Sequence, residues 1–302
     1  PSNCNSRKNA TTAVRSTLCT RLKKKSMDKI INWDVDPVIF QLTDSFPIKY
    51  YGLLFGVGIF LGFLIVKNIY KKEKIPVEQL DNLFIYIVLG TLIGARLGHC
   101  LFYQPEYFLS HPLEMFLPIQ KIEGSYKFVG YQGLASHGGA IGVLIAITIY
   151  CKKYKVKLLN ILDKVAIAIP VAGAFIRFGN FMNSEIYGKP TNGNWGVVFV
   201  RDDLIPRHPT QLYEAFSYLL IFLILYTIYN SKRIKRKNGQ IFGLFLILLF
   251  LARFIIEFFK ENQVAFENQM TLNMGQLLSI PFIVTGIILL IWKRKSPVHN
   301  NV

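Results

Sequence analysis

Acidic residues are scarce in this 302-residue chain: 18 Asp and Glu stand against 35 Lys and Arg. The first 26 residues carry seven cations (Arg7, Lys8, Arg15, Arg21, Lys23, Lys24, Lys25) and no acid. Charge of either sign makes up 18% of the chain, against roughly 25% in a soluble domain. Cysteine is sparse too. Cys4, Cys19, Cys100 and Cys151 form no Cys-x-x-Cys pair, which argues against a disulfide framework and a zinc cluster. No His, Asp and Glu set stands at metal-ligand spacing, so neither a metal nor another cofactor is expected. Internal repeats, heptad arrays and low-complexity blocks are missing as well. What the chain has is apolar residues, 52% of it, with a mean hydropathy of +0.34. That excludes an intrinsically disordered protein and points to a membrane protein.

Residues 1–26 are polar and aperiodic, with no apolar run of the 7–15 residues that a signal-peptide core needs. They read as a non-native or disordered basic extension outside the fold, with Met27 as the working N-terminus. The alternative is a basic, Ser/Thr-rich targeting peptide. Residues 27–302 read as one transmembrane domain with an excess of ten cations.

A helix needs about 20 mostly apolar residues to cross a bilayer. Stretches of about that length run over Ile48–Val66, Leu83–Phe102, Leu134–Cys151, Leu158–Ile176, Leu212–Tyr229, Ile241–Phe259 and Leu277–Trp292. The fold class expected is therefore all-α and polytopic, with about seven spans. Of the 28 cations after residue 26, 16 fall in alternate connections: Lys67–Lys74, Lys152–Lys157, Lys232–Lys237 and Lys293–Lys295. The positive-inside rule makes these cytoplasmic, which puts the start of the domain outside and the C-terminus inside. Short basic loops at membrane ends also argue against a nucleic-acid partner. The longest external segments, about 104–133 and 183–211, are rich in Gly, Pro, Asn and aromatics and read as head segments packed at the membrane.

An ionisable group inside a span costs about 2.5–3.5 kcal/mol on insertion scales and so needs a partner or a polar cavity. Arg96, His99, Arg253 and Glu257 are such groups. Arg253 and Glu257 are four apart and share a helix face, where they could form a structural ion pair. His137 sits among glycines in Gly133-Leu-Ala-Ser-His137-Gly-Gly-Ala-Ile-Gly142. It suits a general base, although such glycines also serve close helix packing. Arg177-Phe-Gly-Asn180-Phe-Met-Asn183-Ser-Glu185-Ile-Tyr-Gly188 crowds a cation, two amides and a carboxylate at one span end. Arginine's rigid donor fork suits a phosphate, so this segment reads as a pocket for an anionic headgroup. A snorkelling interfacial arginine is the plainer alternative. Pro206-Arg207-His208-Pro-Thr-Gln211-Leu-Tyr-Glu214 brings further polar groups to the same interface, or is simply a helix start.

Taken in order, these segments resemble the prolipoprotein diacylglyceryl transferase family of bacterial inner-membrane enzymes. The resemblance runs from about Asp36 to Lys295. It includes Asp36-Pro-Val-Ile-Phe40, Tyr50-Tyr51-Gly52-Leu53, Gly94-Ala-Arg96-Leu-Gly98, His137-Gly-Gly-Ala-Ile-Gly142, the Arg177–Gly188 signature, Arg207–Glu214, Arg253-Phe-Ile-Ile-Glu257 and Met274-Gly-Gln-Leu-Leu-Ser279. Two positions depart from it: Ile176 where the family usually has glycine, and Leu249 where it often has tyrosine.

The resemblance implies transfer of the diacylglyceryl group of phosphatidylglycerol to the lipobox cysteine of a preprolipoprotein, the first step of bacterial lipoprotein maturation. Its products are a thioether and glycerol phosphate. It implies an inner-membrane location, an active site toward the outer leaflet, and phosphatidylglycerol, membrane lipid and a lipobox peptide as partners. His137, Arg177 and Arg253 are then the expected catalytic residues. Tyr51, Arg96, Asn180, Asn183, Glu185, Arg207 and Glu257 are the expected substrate-binding residues. Buried charge also suits a transporter for an anionic solute, but the chain shows no inverted repeat.

Overall fold

The computed structural model describes residues 30–43, 46–117, 119–122, 124–128, 133–231, 237–261 and 270–292. The basic extension at 1–26, most of the 232–237 cation run and Lys293–Lys295 lie outside them. The elements in chain order are β1 (Ile30–Trp33), β2 (Val38–Thr43), β3 (Phe46–Lys49), α1 (Tyr50–Lys72), α2 (Val77–Phe102), α3 (Pro105–Ser110), α4 (Pro112–Phe116), β4 (Ile119–Ile122) and β5 (Ser125–Phe128). They continue with α5 (Ser136–Lys153), α6 (Leu158–Met182), β6 (Gly196–Phe199), β7 (Pro206–Arg207), α7 (Thr210–Asn230), α8 (Gln240–Ile256) and α9 (Met274–Ile291); a 3₁₀ turn, Glu257–Phe259, follows α8.

Six helical segments are long and apolar enough to cross a membrane: Tyr50–Lys72, Val77–Phe102, Leu158–Met182, Thr210–Asn230, Gln240–Phe259 and Met274–Ile291. The chain is a mostly helical, multi-pass membrane protein. The expected third span appears as α5, 18 residues that open on Ser-His-Gly-Gly and close on Lys-Lys. Those polar ends keep it out of the apolar six. Three small sheets add to the helices: β1–β6–β7, β2–β3 and β4–β5.

The chain divides into two compact units. One comprises the described residues within Pro1–Gly62, Ile169–Lys235 and Gly243–Lys295. Here β1 lies parallel to β6, with Ile30 opposite Gly196 and Trp33 opposite Phe199, while β6 runs antiparallel to β7. Phe181, Val197 and Phe199 form a buried cluster against which Trp33, Tyr187 and Leu212 pack. Helix α9 starts with a capping box: Asn273 Oδ1 accepts from the Gln276 amide at 2.9 Å, and Gln276 Oε1 accepts from the Asn273 amide at 3.2 Å.

The other unit comprises the described residues within Phe63–Ala168 and Arg236–Phe242. Its core is Tyr70, Leu83, Ile147, Tyr150 and Ile161, and the buried Tyr150 hydroxyl donates to Gln79 O at 2.9 Å. α2 and α5 meet along glycines. A methyl at Gly98 would lie 2.7 Å from the Gly138 Cα, and one at Gly94 would lie 2.7 Å from the Gly142 Cα. The pairing of Gly98 with Gly138 and of Gly90 with Ala146 makes the two helices antiparallel. No side chain separates the backbones there, the arrangement by which small residues hold helices together in lipid.

Candidate active site

The first unit holds an extended buried polar network. α6 runs to Met182, so Arg177 and Asn180 stand on its last turns rather than beyond the span. The Arg177 Nε lies 2.7 Å from Glu214 Oε2 as an ion pair, and its Nη1 donates to Asn180 Oδ1 at 3.1 Å. Asn180 Nδ2 donates to Glu185 Oε1 at 2.8 Å, and Asn183 Nδ2 reaches the same oxygen at 3.3 Å. The other oxygen of Glu214 accepts from Lys260 Nζ at 3.2 Å, and Lys260 lies 3.6 Å from Glu257 Oε2. Glu214 is fully buried and Lys260 is 2% exposed. An ionised group at such depth persists only with a counter-charge.

The turn after α6 is conformationally demanding. Ser184 and Ile186 both have positive φ, 56° and 58°. Each such residue costs on the order of 1–3 kcal/mol and persists only where the surroundings fix it. The start of α7 does so: Gln211 Nε2 donates to Glu185 O at 2.7 Å, and Thr210 Oγ1 donates to Ile186 O at 3.2 Å. The Glu185 carboxylate is thus aimed back at Asn180 and Asn183. Further along, Gly188 bridges to Lys260 as an isolated β pair, and Lys189 donates its amide to Phe259 O at 2.8 Å. A methyl on Gly188 would lie 2.5 Å from that carbonyl oxygen. The absence of a side chain there lets the end of α8 lie against the Arg177–Gly188 segment.

The structure gathers Arg177, Asn180, Asn183, Glu185 and Glu257 into this unit with Glu214. The carboxylate on Arg177 is Glu214, while the left-handed turn points Glu185 at the two amides. One expected pairing differs. Glu257 pairs with Lys260 rather than Arg253, because the helix tightens into a 3₁₀ turn at Glu257 and breaks the i, i+4 register. Arg253 is half-buried, and no described carboxylate lies within 4 Å of it. Gly275, in the first turn of α9, leaves room for the Glu257 carboxylate: a methyl there would lie 2.5 Å from its Cδ. Tyr51 packs its ring against Gly179, and a methyl at Gly179 would meet Tyr51 Cδ2 at 2.8 Å. Leu249 stands one turn before Arg253, as the sequence showed, and the phenol near the arginines comes from α7. Tyr218 lies within electrostatic reach of Arg177 and Arg253.

Arg207 is held at every nitrogen. Its Nε and Nη2 donate to Asp203 Oδ2 at 2.8 and 2.5 Å, and its Nη1 donates to Glu261 Oε2 at 2.9 Å and, more distantly, to Gly188 O. Its guanidinium lies over Tyr187, 4.7 Å from the ring centre. These hydrogen bonds, led by that from Arg207, hold the Asp203 carboxyl below its usual range. His208, next in the chain, is pushed down by burial.

In the second unit, Arg96 donates from Nε to Met115 O at 3.2 Å and from Nη2 to Glu114 O at 2.5 Å, and lies 4.8 Å from the Phe108 ring centre. It ties α3 and α4 to α2. His137 is exposed in the first turn of α5 and makes no hydrogen bond to a described residue. No group of three or more His, Cys, Asp and Glu able to hold a metal occurs among the described residues.

Glu214, Lys260 and Tyr218 are the network members that the sequence reading did not name as site residues. Glu214 lay inside a quoted segment. Lys260 follows a span, where a cation normally reads as snorkelling to water.

Apolar spans around ionised groups that are buried and paired define a multi-pass membrane protein with a charged interior site. The chain belongs to the prolipoprotein diacylglyceryl transferase family, whose sequence model matches residues 37–292. Among its relatives are proteins named phosphatidylglycerol–prolipoprotein diacylglyceryl transferase. That of Bacteroides fragilis is 48% identical over 269 residues, covering 88% of this chain and 97% of the relative. That of Tolumonas auensis is 48% identical over 266 residues, covering 87% and 98%. That of Porphyromonas gingivalis is 42% identical over 292 residues, covering 91% and 99%.

Proposed function

We propose that this chain transfers the diacylglyceryl group of phosphatidylglycerol to the lipobox cysteine thiol of a preprolipoprotein, with no cofactor. In the reaction a sulfur–carbon bond forms as the carbon–oxygen bond to the phosphate breaks. The diacylglyceryl group stays on sulfur and the leaving group departs as glycerol phosphate. The thiol is nucleophilic only as thiolate, so its proton must be taken up. His137, exposed and without a hydrogen-bond partner among the described residues, suits that role.

Negative charge gathers on the phosphate as the bond breaks, and preorganised donors aimed at it lower the barrier. Arg177 and Arg253 are the donors in this reading. Asn180, itself tied to Glu185 together with Asn183, holds Arg177 from one side and Glu214 holds it from the other, while Tyr51 lies within electrostatic reach of Arg177 and Glu185 and Glu257 sets the charge near Arg253. Arg96 and Arg207 act by anchoring their segments, since their donors already have partners in the protein. The observation that carries the reading is a membrane-depth arginine with no described carboxylate in ion-pair range, Arg253, in the unit that also fixes Arg177. We further read seven spans with α5 as the third, the C-terminus in the cytoplasm, the chain in the bacterial inner membrane and the site toward its outer leaflet. The alternation of basic loops supports this.

The test is to incubate membranes containing the protein with labelled phosphatidylglycerol and a lipobox peptide. Thioether product with release of glycerol phosphate is the expected result. Uptake of an anionic solute into liposomes, with no product, would instead make the protein a transporter. His137→Ala and Arg177→Ala are each expected to abolish transfer while folded protein remains in the membrane. Normal turnover by either would remove that residue from the mechanism.

A further inference from the structure

Lys260 has no role in the reaction as derived above, yet it is one of the most buried charges in the protein. It is 2% exposed, its backbone is fixed by the bridge to Gly188, and its ammonium lies between two carboxylates. Glu214 divides its oxygens: Oε1 goes to Lys260 at 3.2 Å and Oε2 to Arg177 Nε at 2.7 Å. Glu257 Oε2 has Lys260 at 3.6 Å and accepts no hydrogen bond from a described residue. Glu257 is also within electrostatic reach of Arg177. Both carboxylates would therefore turn to the Arg177 guanidinium if the ammonium were missing.

Resting on the transferase reading, we propose that Lys260 is a positioning residue that holds Glu214 and Glu257 and so keeps Arg177 available for the phosphate of the lipid donor. Glu214, held by Lys260 at one oxygen, meets Arg177 with the other, whose close approach to Nε is not aligned as a hydrogen bond. Released, the same carboxylate can take the guanidinium by the two-bond fork that arginine and carboxylate favour. A forked Arg177 has spent donors that the departing phosphate needs. Lys260 would thus act on the reaction without touching substrate.

The experiment compares wild type, K260M, K260R and K260M/E214Q, purified in detergent and assayed with phosphatidylglycerol and a lipobox peptide. Rates are normalised to folded protein. K260M is expected to lose on the order of 100-fold in kcat, the scale seen when one transition-state donor is removed. K260R, which restores a cation between the carboxylates, should recover most of that. K260M/E214Q should be faster than K260M, because a neutral amide cannot capture Arg177 as a carboxylate does. If K260M does not accumulate, K260Q carries the same expectation at smaller amplitude.

A purely structural role would lower thermal stability and leave kcat per folded molecule unchanged, and that result overturns the inference. So does a K260M defect that neither K260R nor K260M/E214Q relieves. Inactive wild type would sink the transferase reading itself, an outcome distinct from active wild type with an equally active K260M.

Discussion

Glu214 is the residue on which the buried charges depend. It has no access to solvent, and its two oxygens serve Arg177 and Lys260 separately. Removing one member of a buried ion pair costs about 3–5 kcal/mol, because it strands the other charge. E214Q strands two. It should therefore lower the thermal unfolding temperature of the detergent-solubilised protein more than any single surface substitution, and an unchanged transition would show that the pairs contribute little. The Asp203–Arg207 pair gives a pH-dependent counterpart. Its depressed carboxyl means the pair stabilises the fold fully above the unfolded-state carboxylate value and loses that as pH falls through the lower, folded value. D203N should thus be less stable than wild type by about 1.5–3 kcal/mol at pH 7, with the gap closing as pH drops well below about 4. Unfolding curves across that range check it. The buried arginines stood out in the sequence as ionised groups inside apolar runs, but what each touches did not: Arg96 ties α3 and α4 to α2. Lys260 was not legible as a site residue, for one of its two carboxylate partners, Glu214, stands 46 residues away and only the fold brings them together.

At the scale of elements, apolar runs announced the helices, whereas the strands were silent. β1 and β6 pair in parallel across more than 160 residues, and a four-residue strand such as Ile30–Trp33 carries no local signal strong enough to separate it from a loop. The glycines were legible as a cluster but not as a seam, because their partners lie on another helix. The seam yields a sharp contrast. A side chain at Gly142 would run into the Gly90 carbonyl and come within 2.9 Å of the Gly94 Cα, both backbone atoms that cannot move aside without parting the helices. Gly56 on α1 has nothing within 4 Å of its would-be Cβ. G142L should therefore destabilise the protein by overpacking, about 1–3 kcal/mol or more, while G56L stays within about 0.5 kcal/mol. Size-exclusion profiles after graded heating will rank the two. Equal tolerance would mean that α2 and α5 are not held as closely as the glycines indicate.

For the molecule as a whole, the count of spans turns on α5. It misses the apolar six by its polar ends, yet 18 residues at 1.5 Å each make about 27 Å, close to the thickness of a bilayer's hydrocarbon core. It also runs antiparallel along α2, itself a span, from Gly138 beside Gly98 to Ala146 beside Gly90. If α5 crosses, the Lys152–Lys157 loop is cytoplasmic and the segment from Asn183 to Gln211 is external. If α5 turns back without crossing, both assignments reverse, and every later connection reverses with them. With Cys4 and Cys19 replaced by serine, one introduced cysteine on each side separates the cases, because Cys100 and Cys151 are buried and the introduced positions Lys152 and Asn192 are exposed. With a membrane-impermeant maleimide added to intact cells, N192C should label and K152C should label only after the membrane is opened. The reverse pattern would leave six spans and place the Arg177–Gly188 segment at the cytoplasmic face. A site there could not meet a thiol presented at the outer leaflet, so the labelling tests the sidedness of the reaction as well as the topology.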